Sequence, residues 1–389
     1  MRMVPLGELM PARAASLDPR NHPDEQFDLH SIPAHDRGNP DLALGHEIGS
    51  SKQIVQPGDV VLSKIVPHIR RAGVIGESRG RRQIASGEWI VMRHPDVEPR
   101  YLRSFLLSDS FHAKFMSTVA GVGGSLMRAR PAQVKLIEVP LPSIEEQGRI
   151  AAILDQSVDI RDTRRRHLSY LDTLVQSVFD NMFGSPTRPH VEHRVMPLGA
   201  TSTKFSDGPF GSNLKSEHYV LEGVPVVRLQ NIKPGMYDDT DRAYISAEHF
   251  ESLRKHECLP GDILIATMGE PNIRACIQPE YLPVALNKAD CVQMRVAPKI
   301  ATSEYLVALL NHPGTMALAG ALVSGQTRSR VSMGRLRDLH VPVPSLELQE
   351  RFSEIVHSIQ RERRLASEHL ASVNKLFASL QSRAFRGEL

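Results

Sequence analysis

Cysteine and tryptophan are nearly absent: three Cys and one Trp in 389 residues. Cys258, Cys276 and Cys291 are odd in number and lack C-x-x-C spacing, which excludes a zinc knuckle and a disulfide framework. A reducing, cytoplasmic setting is the expectation. No apolar run approaches the roughly 18 residues of a membrane span. Pro5, Glu8 and Pro11 break the stretch where a signal peptide would need a continuous apolar core. Charge of one sign is also scarce, with 47 Lys+Arg against 44 Asp+Glu and a net charge of +3. Such a chain is no polycation, so any nucleic-acid contact must rest on local patches.

Catalytic motifs are missing as well. Without a Gly-Lys dipeptide there is no Walker A loop, and without Pro-Pro no Asn/Asp-Pro-Pro-Tyr motif of an amino-methyltransferase. No Lys follows Asp or Glu at two residues' distance, so a PD-(D/E)-x-K nuclease core cannot be assembled. The 17 histidines form no H-x-H or H-E-x-x-H, which argues against a metal site. Gly121, Gly123 and Gly124 follow an expected helix, not a strand, and so are not read as a dinucleotide loop. No nucleophile elbow is expected. The chain is read as non-catalytic, with no catalytic, cofactor or metal residues.

What the sequence does hold is a duplication. VPLPSIEEQGRIAAIL (139–154) answers VPVPSLELQERFSEIV (341–356), and the ungapped match of 139–187 onto 341–389 gives 14 identities in 49 positions. Chance would give about three. Upstream, PGDVVLSKI (57–65) answers PGDILIATM (260–268), and PLGEL (5–9) answers PLGAT (197–201). The order is A–B–A′–B′, two variable segments alternating with two similar ones. Two units are too few for a solenoid, so the chain reads as one pseudo-symmetric molecule.

The B segments read as long helices, since no Pro or Gly interrupts 149–183 or 345–386. Ser143 with Glu146 three residues on predicts a capping box; the second copy has Leu348 there and a weaker cap. Ile150, Ile153, Ile160, Leu171, Leu174 and Val178 form one expected seam, and Phe352, Ile355, Ile359, Val373, Leu376 and Leu380 the other. Their mean spacing of about 3.5 predicts a coiled coil, most naturally antiparallel. Ser157, Arg164, His167, Glu362 and His369 interrupt it and are read as register-setting or solvated. The A segments read as α/β: short strands over 58–65, 89–93, 225–229, 261–267 and 291–296, and one helical stretch in each over 101–119 and 304–322.

This layout resembles the specificity subunit (HsdS) of type I DNA restriction–modification systems: two variable domains separated by duplicated P-x-P-S-x-x-x-Q helices. FSDGPFGSNLKSEHY (205–219), GVPVVRLQNIKPG (223–235) and the two PGD strands look like signatures of that family. The resemblance implies an α+β architecture of two globular α/β target-recognition domains (1–142 and 189–344) in pseudo-two-fold arrangement. Two conserved helices (143–188 and 345–389), packed as an antiparallel coiled coil, would separate them. It further implies one copy per complex, binding double-stranded DNA at an asymmetric bipartite site and docking two methyltransferase subunits and restriction subunits, with no membrane. S-adenosylmethionine, and ATP and Mg2+ for restriction, would act in those partner subunits.

DNA reading needs a phosphate clamp and a few side chains that reach base edges. Lys64, His68, Arg70, Arg71, Arg79, Arg81 and Arg82 form a basic strand–loop–strand in the first A segment. Pro67-His68-Ile69-Arg70 echoes Pro271-Asn272-Ile273-Arg274, so Arg70 and Arg274 are matched candidates for guanine or phosphate. Lys204, Ser206, Asp207, Ser212, Asn213 and Lys215 lie on a Gly-Pro loop, and Gln230 and Asn231 are amides suited to adenine. Ser125, Arg128 and Arg130 in one copy, and Gln326, Thr327, Arg328 and Arg330 in the other, precede the long helices and suit phosphate contact. Arg161–Arg166 reads as a solvated face or a subunit contact. The competing readings are an adaptor of a methylation-only or other defence complex, a coiled-coil adaptor that does not bind DNA, and a self-contained enzyme.

Overall fold

The structure, a computed structural model, describes residues 2–12, 15–121, 127–320, 323–324 and 330–389. It is mixed helix and sheet and divides into two compact units, Met1–Arg165 with Glu368–Leu389, and Arg166–Ser367.

In the first unit the strand Val60–Ser63 is buried on both faces and runs antiparallel to Ala72–Val74 and Trp89–Met92. The preceding turn needs Gly58, whose φ of 86° favours glycine. A second sheet has the order Ser16–Leu17, Lys52–Ile54, Arg82–Ala85, Gln26–His30, Asp41–Leu44, with one parallel pair. The stretch expected as one helix is two, Pro99–Leu106 and Asp109–Met116. Ser108 makes the break, its hydroxyl accepting from Phe111 N at 3.2 Å as an N-cap. Arg2–Pro5 pairs with Glu138–Leu141, closing the domain where the first long helix leaves it.

The second unit repeats the plan. Ile263–Ala266 is buried between Arg274–Ile277 and Cys291–Val296, with Ser202–Asp207 added at the edge. A five-stranded sheet again holds one parallel pair, Val224–Val227 with Ala285–Asn287. Two helices replace the expected one, Ser303–Asn311 and Pro313–Ala319, broken where Pro313 can only start a new turn. His193–Pro197 pairs with His340–Pro344.

The long helices are Ile144–Phe183 and Leu346–Arg386. Ser143 Oγ accepts from Glu146 N (3.3 Å), but the Glu146 carboxylate turns to Arg149 (2.7 and 2.9 Å), so the capping box is only half made. In the first unit Ile150, Ala151 and Leu154 pack with Ala384, beside Phe377 and Leu380. In the second unit Leu171 packs with Ile359 and Ala366, beside Leu168, Leu174, Val175 and Val178. The start of one helix thus meets the end of the other in each unit.

The seam differs from expectation at three positions. Ile160, Ile355 and Leu376 are 44%, 39% and 57% exposed. On the second helix the inward residues are Phe352, Val356, Ile359, Ala366, Phe377, Leu380 and Ala384, with Val373 half-buried among them, spaced by three, four or seven. Val356 and Phe377 thus take the places given to Ile355 and Leu376. On the first helix Arg161 takes the place of Ile160. Its guanidinium lies 4.3 Å from the centre of the Phe377 ring, and its Nε donates to Asn374 (3.0 Å). Ile153 is half-buried. Burial, followed by Arg165 nearby, lowers the pKa of Arg161.

Candidate nucleic-acid interface

The PGD strand and its neighbour form a hairpin in each unit, and its register decides which residues correspond. Leu62 pairs with Ala72, and Ile265 with Ala275. Arg274 therefore matches Arg71, not Arg70, which corrects the pairing read from the PHIR and PNIR letters. Arg70 is half-exposed; it donates to Leu107 O (3.2 Å) and meets Asp109 (2.6 Å). Arg71 forms a two-bond fork with Asp36 (2.7 and 2.8 Å), which raises its own pKa and holds the Asp36 carboxyl below its ordinary value. Arg274 donates to four backbone carbonyls, of Ile232, Met268, Pro271 and Leu229, at 2.8–3.2 Å. That guanidinium fastens its own loop to residues 229–232, which corrects the expectation that it reaches outward. His68 is exposed at the tip of the first loop.

Lys64 and Arg128 are brought together. Lys64 Nζ donates to Gly87 O (2.6 Å) and stands 3.9 Å from Glu88, and Arg128 Nη2 donates to the same Glu88 (3.0 Å). The result is a basic pair around one carboxylate at the edge of the domain.

In the second unit Arg228 and Gln230 converge on Asp241 (2.5 and 2.6 Å), and the Gln230 amide, then Arg228, lowers that carboxyl's pKa. Gln230 is exposed. Asn231 is buried, with its amide spent on Asp238 O, Asp241 O and Arg228 N. It shapes the loop and is not placed to read adenine, a further correction. Lys204 reaches Glu257 O (3.1 Å), Lys215 lies 3.4 Å from Glu217, and Asn213 O faces His249 (2.9 Å). Gly208 lets the Gly-Pro loop approach residues 287–288, since a Cβ there would stand 2.1 Å from Lys288 C. Ser125, Gln326, Thr327 and Arg328 lie outside the described residues, and the Ser212 side chain is not described.

The residues that the motifs do carry are structural. The PGD aspartates, Asp59 and Asp262, are buried and held by two-bond forks from Arg93 (2.6 Å) and Arg295 (2.8 and 2.9 Å), which raises both arginine pKa values. The motif glutamines are buried clamps. Gln147 accepts from Glu98 N and donates to Asp96 O and Pro142 O; Gln349 accepts from Thr302 N and donates to Ile300 O and Pro344 O. Tyr101 and Tyr305 likewise donate to Pro140 O (2.7 Å) and Pro342 O (2.6 Å). The duplicated segments contain Asp59, Asp262, Gln147 and Gln349, but their partners Arg93, Arg295, Glu98 and Thr302, like Tyr101 and Tyr305, lie outside those segments and too far along the chain for spacing to reveal.

Gly76-Glu77-Ser78-Arg79-Gly80 has the letters of a nucleophile elbow, contrary to expectation, but not its structure. It lies between two strands, and Ser78 Oγ donates to Arg81 O (3.1 Å). Among the described residues no cluster of His, Cys, Asp or Glu could hold a metal, and no helix is long and apolar enough to cross a membrane.

The fold is thus a duplicated α+β unit joined to two long helices, with paired polar loops. No family model matches the chain. It is 21% identical over 365 residues to the type I restriction enzyme EcoKI specificity subunit of Escherichia coli (strain K12), covering 87% of this chain and 76% of that protein. It is 22% identical over 360 residues to the StySPI specificity subunit of Salmonella potsdam, with the same coverage. Among solved structures, a chain from work on assembly and conformational transition of the type I R-M system matches with a TM-score of 0.65 and 21% identity. That match covers 100% of this chain and 98% of the other. The S subunit of a type I system from M. genitalium matches with a TM-score of 0.55 at 13% identity, over 99% and 96% of the two chains. The chain is thus similar in sequence to type I restriction enzyme specificity subunits and shares the fold of the solved type I structures.

Proposed function

We propose that this chain is the DNA-reading, non-catalytic subunit of a cytoplasmic type I restriction–modification complex. The observation that carries the reading is the recurrence of one scaffold under different loops. Both units keep the Asp–Arg fork, the tyrosine bond and the glutamine clamp, yet KIVPHIRRAG answers TMGEPNIRAC. Shared scaffolds with unlike loops suit two readers of different short words, hence an asymmetric, bipartite target. Lys64, His68, Arg70 and Arg128 on one side, and Lys204, Lys215 and Gln230 on the other, supply the phosphate and base-edge donors such reading needs.

The two long helices, of 40 and 41 residues, would act as an antiparallel spacer. At 1.5 Å per residue each spans ~60 Å, enough to set two readers one DNA turn apart, about 34–36 Å. Each similar helix offers an equivalent surface, so one copy of this chain would dock two methyltransferase subunits, with restriction subunits added in a restricting complex. S-adenosylmethionine, ATP and Mg2+ would act in those partners. The test is methylation of a target whose unread spacer is lengthened by one base pair. That shifts the second word by ~3.4 Å and about a tenth of a turn. Methylation should be lost; undiminished methylation would sink the reading.

A further inference from the structure

In each unit three chain segments far apart in sequence meet at one junction, built the same way twice. In the first unit Lys64 N donates to Glu88 O (3.1 Å) and Ala129 N to Lys64 O (2.8 Å). In the second, Thr267 N donates to Asp290 O (3.1 Å) and Val331 N to Thr267 O (3.0 Å). Each junction holds an acid just before a core strand and an arginine on the segment returning to the long helix. Arg128 Nη2 lies 3.0 Å from Glu88 Oε1, and Arg330 Nη1 lies 3.1 Å from Asp290 Oδ1. Both acids and both arginines stand 202 positions apart. Lysine has become threonine and glutamate has become aspartate between the copies, while the ion pair remains.

Stability is a poor reason to keep it. Arg128 has 62% of its side chain exposed, and ion pairs at such exposed sites add little to stability. The geometry favours another role. The acids are more buried than their arginines, and each pair is a single contact that leaves most of the guanidinium fork unspent. Lys64 Nζ stands 3.9 Å from the Glu88 carboxylate, a second cation on the same acid. Arg330 also lies 5.4 Å from the centre of the Phe210 ring, so it braces the Gly-Pro loop. Arg128, held by one acid and mostly open to solvent, is arranged for an oxyanion; Arg330 repeats the contact with 37% of its side chain exposed and its Nε buried.

We infer that Glu88 and Asp290 are positioning residues that hold Arg128 and Arg330, one in each unit, for contact with a DNA phosphate. The inference rests on the DNA-reading function proposed above. It carries a diagnostic sign, because a carboxylate beside a phosphate repels it by Coulomb's law. If charge alone counted, removing the acid would tighten binding. If the acid holds the arginine in place, removing it weakens binding.

The experiment uses the full chain with its methyltransferase partners and a mixed-sequence duplex of about 40 base pairs, with affinity measured over a salt series. Arg128→Ala and Arg330→Ala should each lower affinity about tenfold at low salt. Each should also reduce the slope of log affinity against log salt by about one. Glu88→Ala and Asp290→Ala should weaken binding and flatten the slope in the same direction. The double acid variant should lose about twice as much slope, since the sites belong to separate units. Glu88→Gln and Asp290→Asn, which keep an acceptor oxygen, should recover most of the loss. Tighter binding by the alanine variants of the acids, or an unchanged slope in all variants, would overturn the inference. A wild-type complex that shows no salt-dependent duplex binding would overturn the DNA-reading function itself, a separate result.

Discussion

Gln147 and Gln349 show how a motif residue that looks like a family mark acts as a joint. Each side chain ties the first turn of a long helix to the loop that enters the domain's first late helix, through three hydrogen bonds in a buried setting. Gln349→Leu would leave the amide of Thr302 and the carbonyls of Ile300 and Pro344 unpaired. Buried groups left this way cost ~1–3 kcal/mol each, so stability should fall by about 3 kcal/mol in urea unfolding. The exposed Gln156→Leu should change it by less than about 0.5 kcal/mol. Equal effects would reject the clamp. The three thiols offer a second test. Burial pushes Cys276 and Cys291 up to about 12, and also raises Cys258 well above the ordinary thiol value. A maleimide at pH 8 should label none of them in the native chain and all three in urea; stoichiometric native labelling would contradict this. The unfolded thiol titrates near 8.5, so between about 8.5 and about 12 the unfolded chain releases protons that the folded chain keeps. Their contribution to stability is therefore full below that window and declines as pH rises through it. These roles were not legible in the sequence. Asp59 and Arg93, or Gln349 and Ile300, are neighbours only after the strands have paired.

At the scale of elements the helices were readable and their inward face was not. Ile355 stands next to Val356 and Leu376 next to Phe377, so both faces carry apolar residues at a spacing near 3.5. Periodicity cannot choose between adjacent apolar positions; the packing of Ala384 and Ile359 does. The choice has a consequence. Ile359→Asp would bury an uncompensated carboxylate beside Leu171 and should cost several kcal/mol. Leu376→Asp, on an outward face, should change the melting temperature little. The reverse order in thermal melts would return the seam to its sequence-based register. The two broken helices, at Ser108 and at Pro313, had signals that a single stretch overlooked: a serine N-cap and a proline at the first turn.

For the whole molecule, duplication was the most legible feature, since 14 identities in 49 positions need no structure to be seen. It led directly to two similar units and two long helices. The loops were the least legible, because a base-reading residue and a loop-bracing one share the same chemistry. Arg274 and Asn231 are donors of the right kind turned inward, and only their carbonyl partners reveal it. If each similar helix docks one partner, the mass of the saturated complex should correspond to two methyltransferase subunits per chain; one per chain would contradict that stoichiometry. The central claim, that this chain chooses the DNA sequence its partners modify, is tested most directly by mapping adenine methylation across the genome in cells with and without it. The account predicts one methylated motif, two unlike words around a spacer of fixed length and any sequence, that vanishes when the chain is removed. A methylation pattern unchanged by its removal would contradict it.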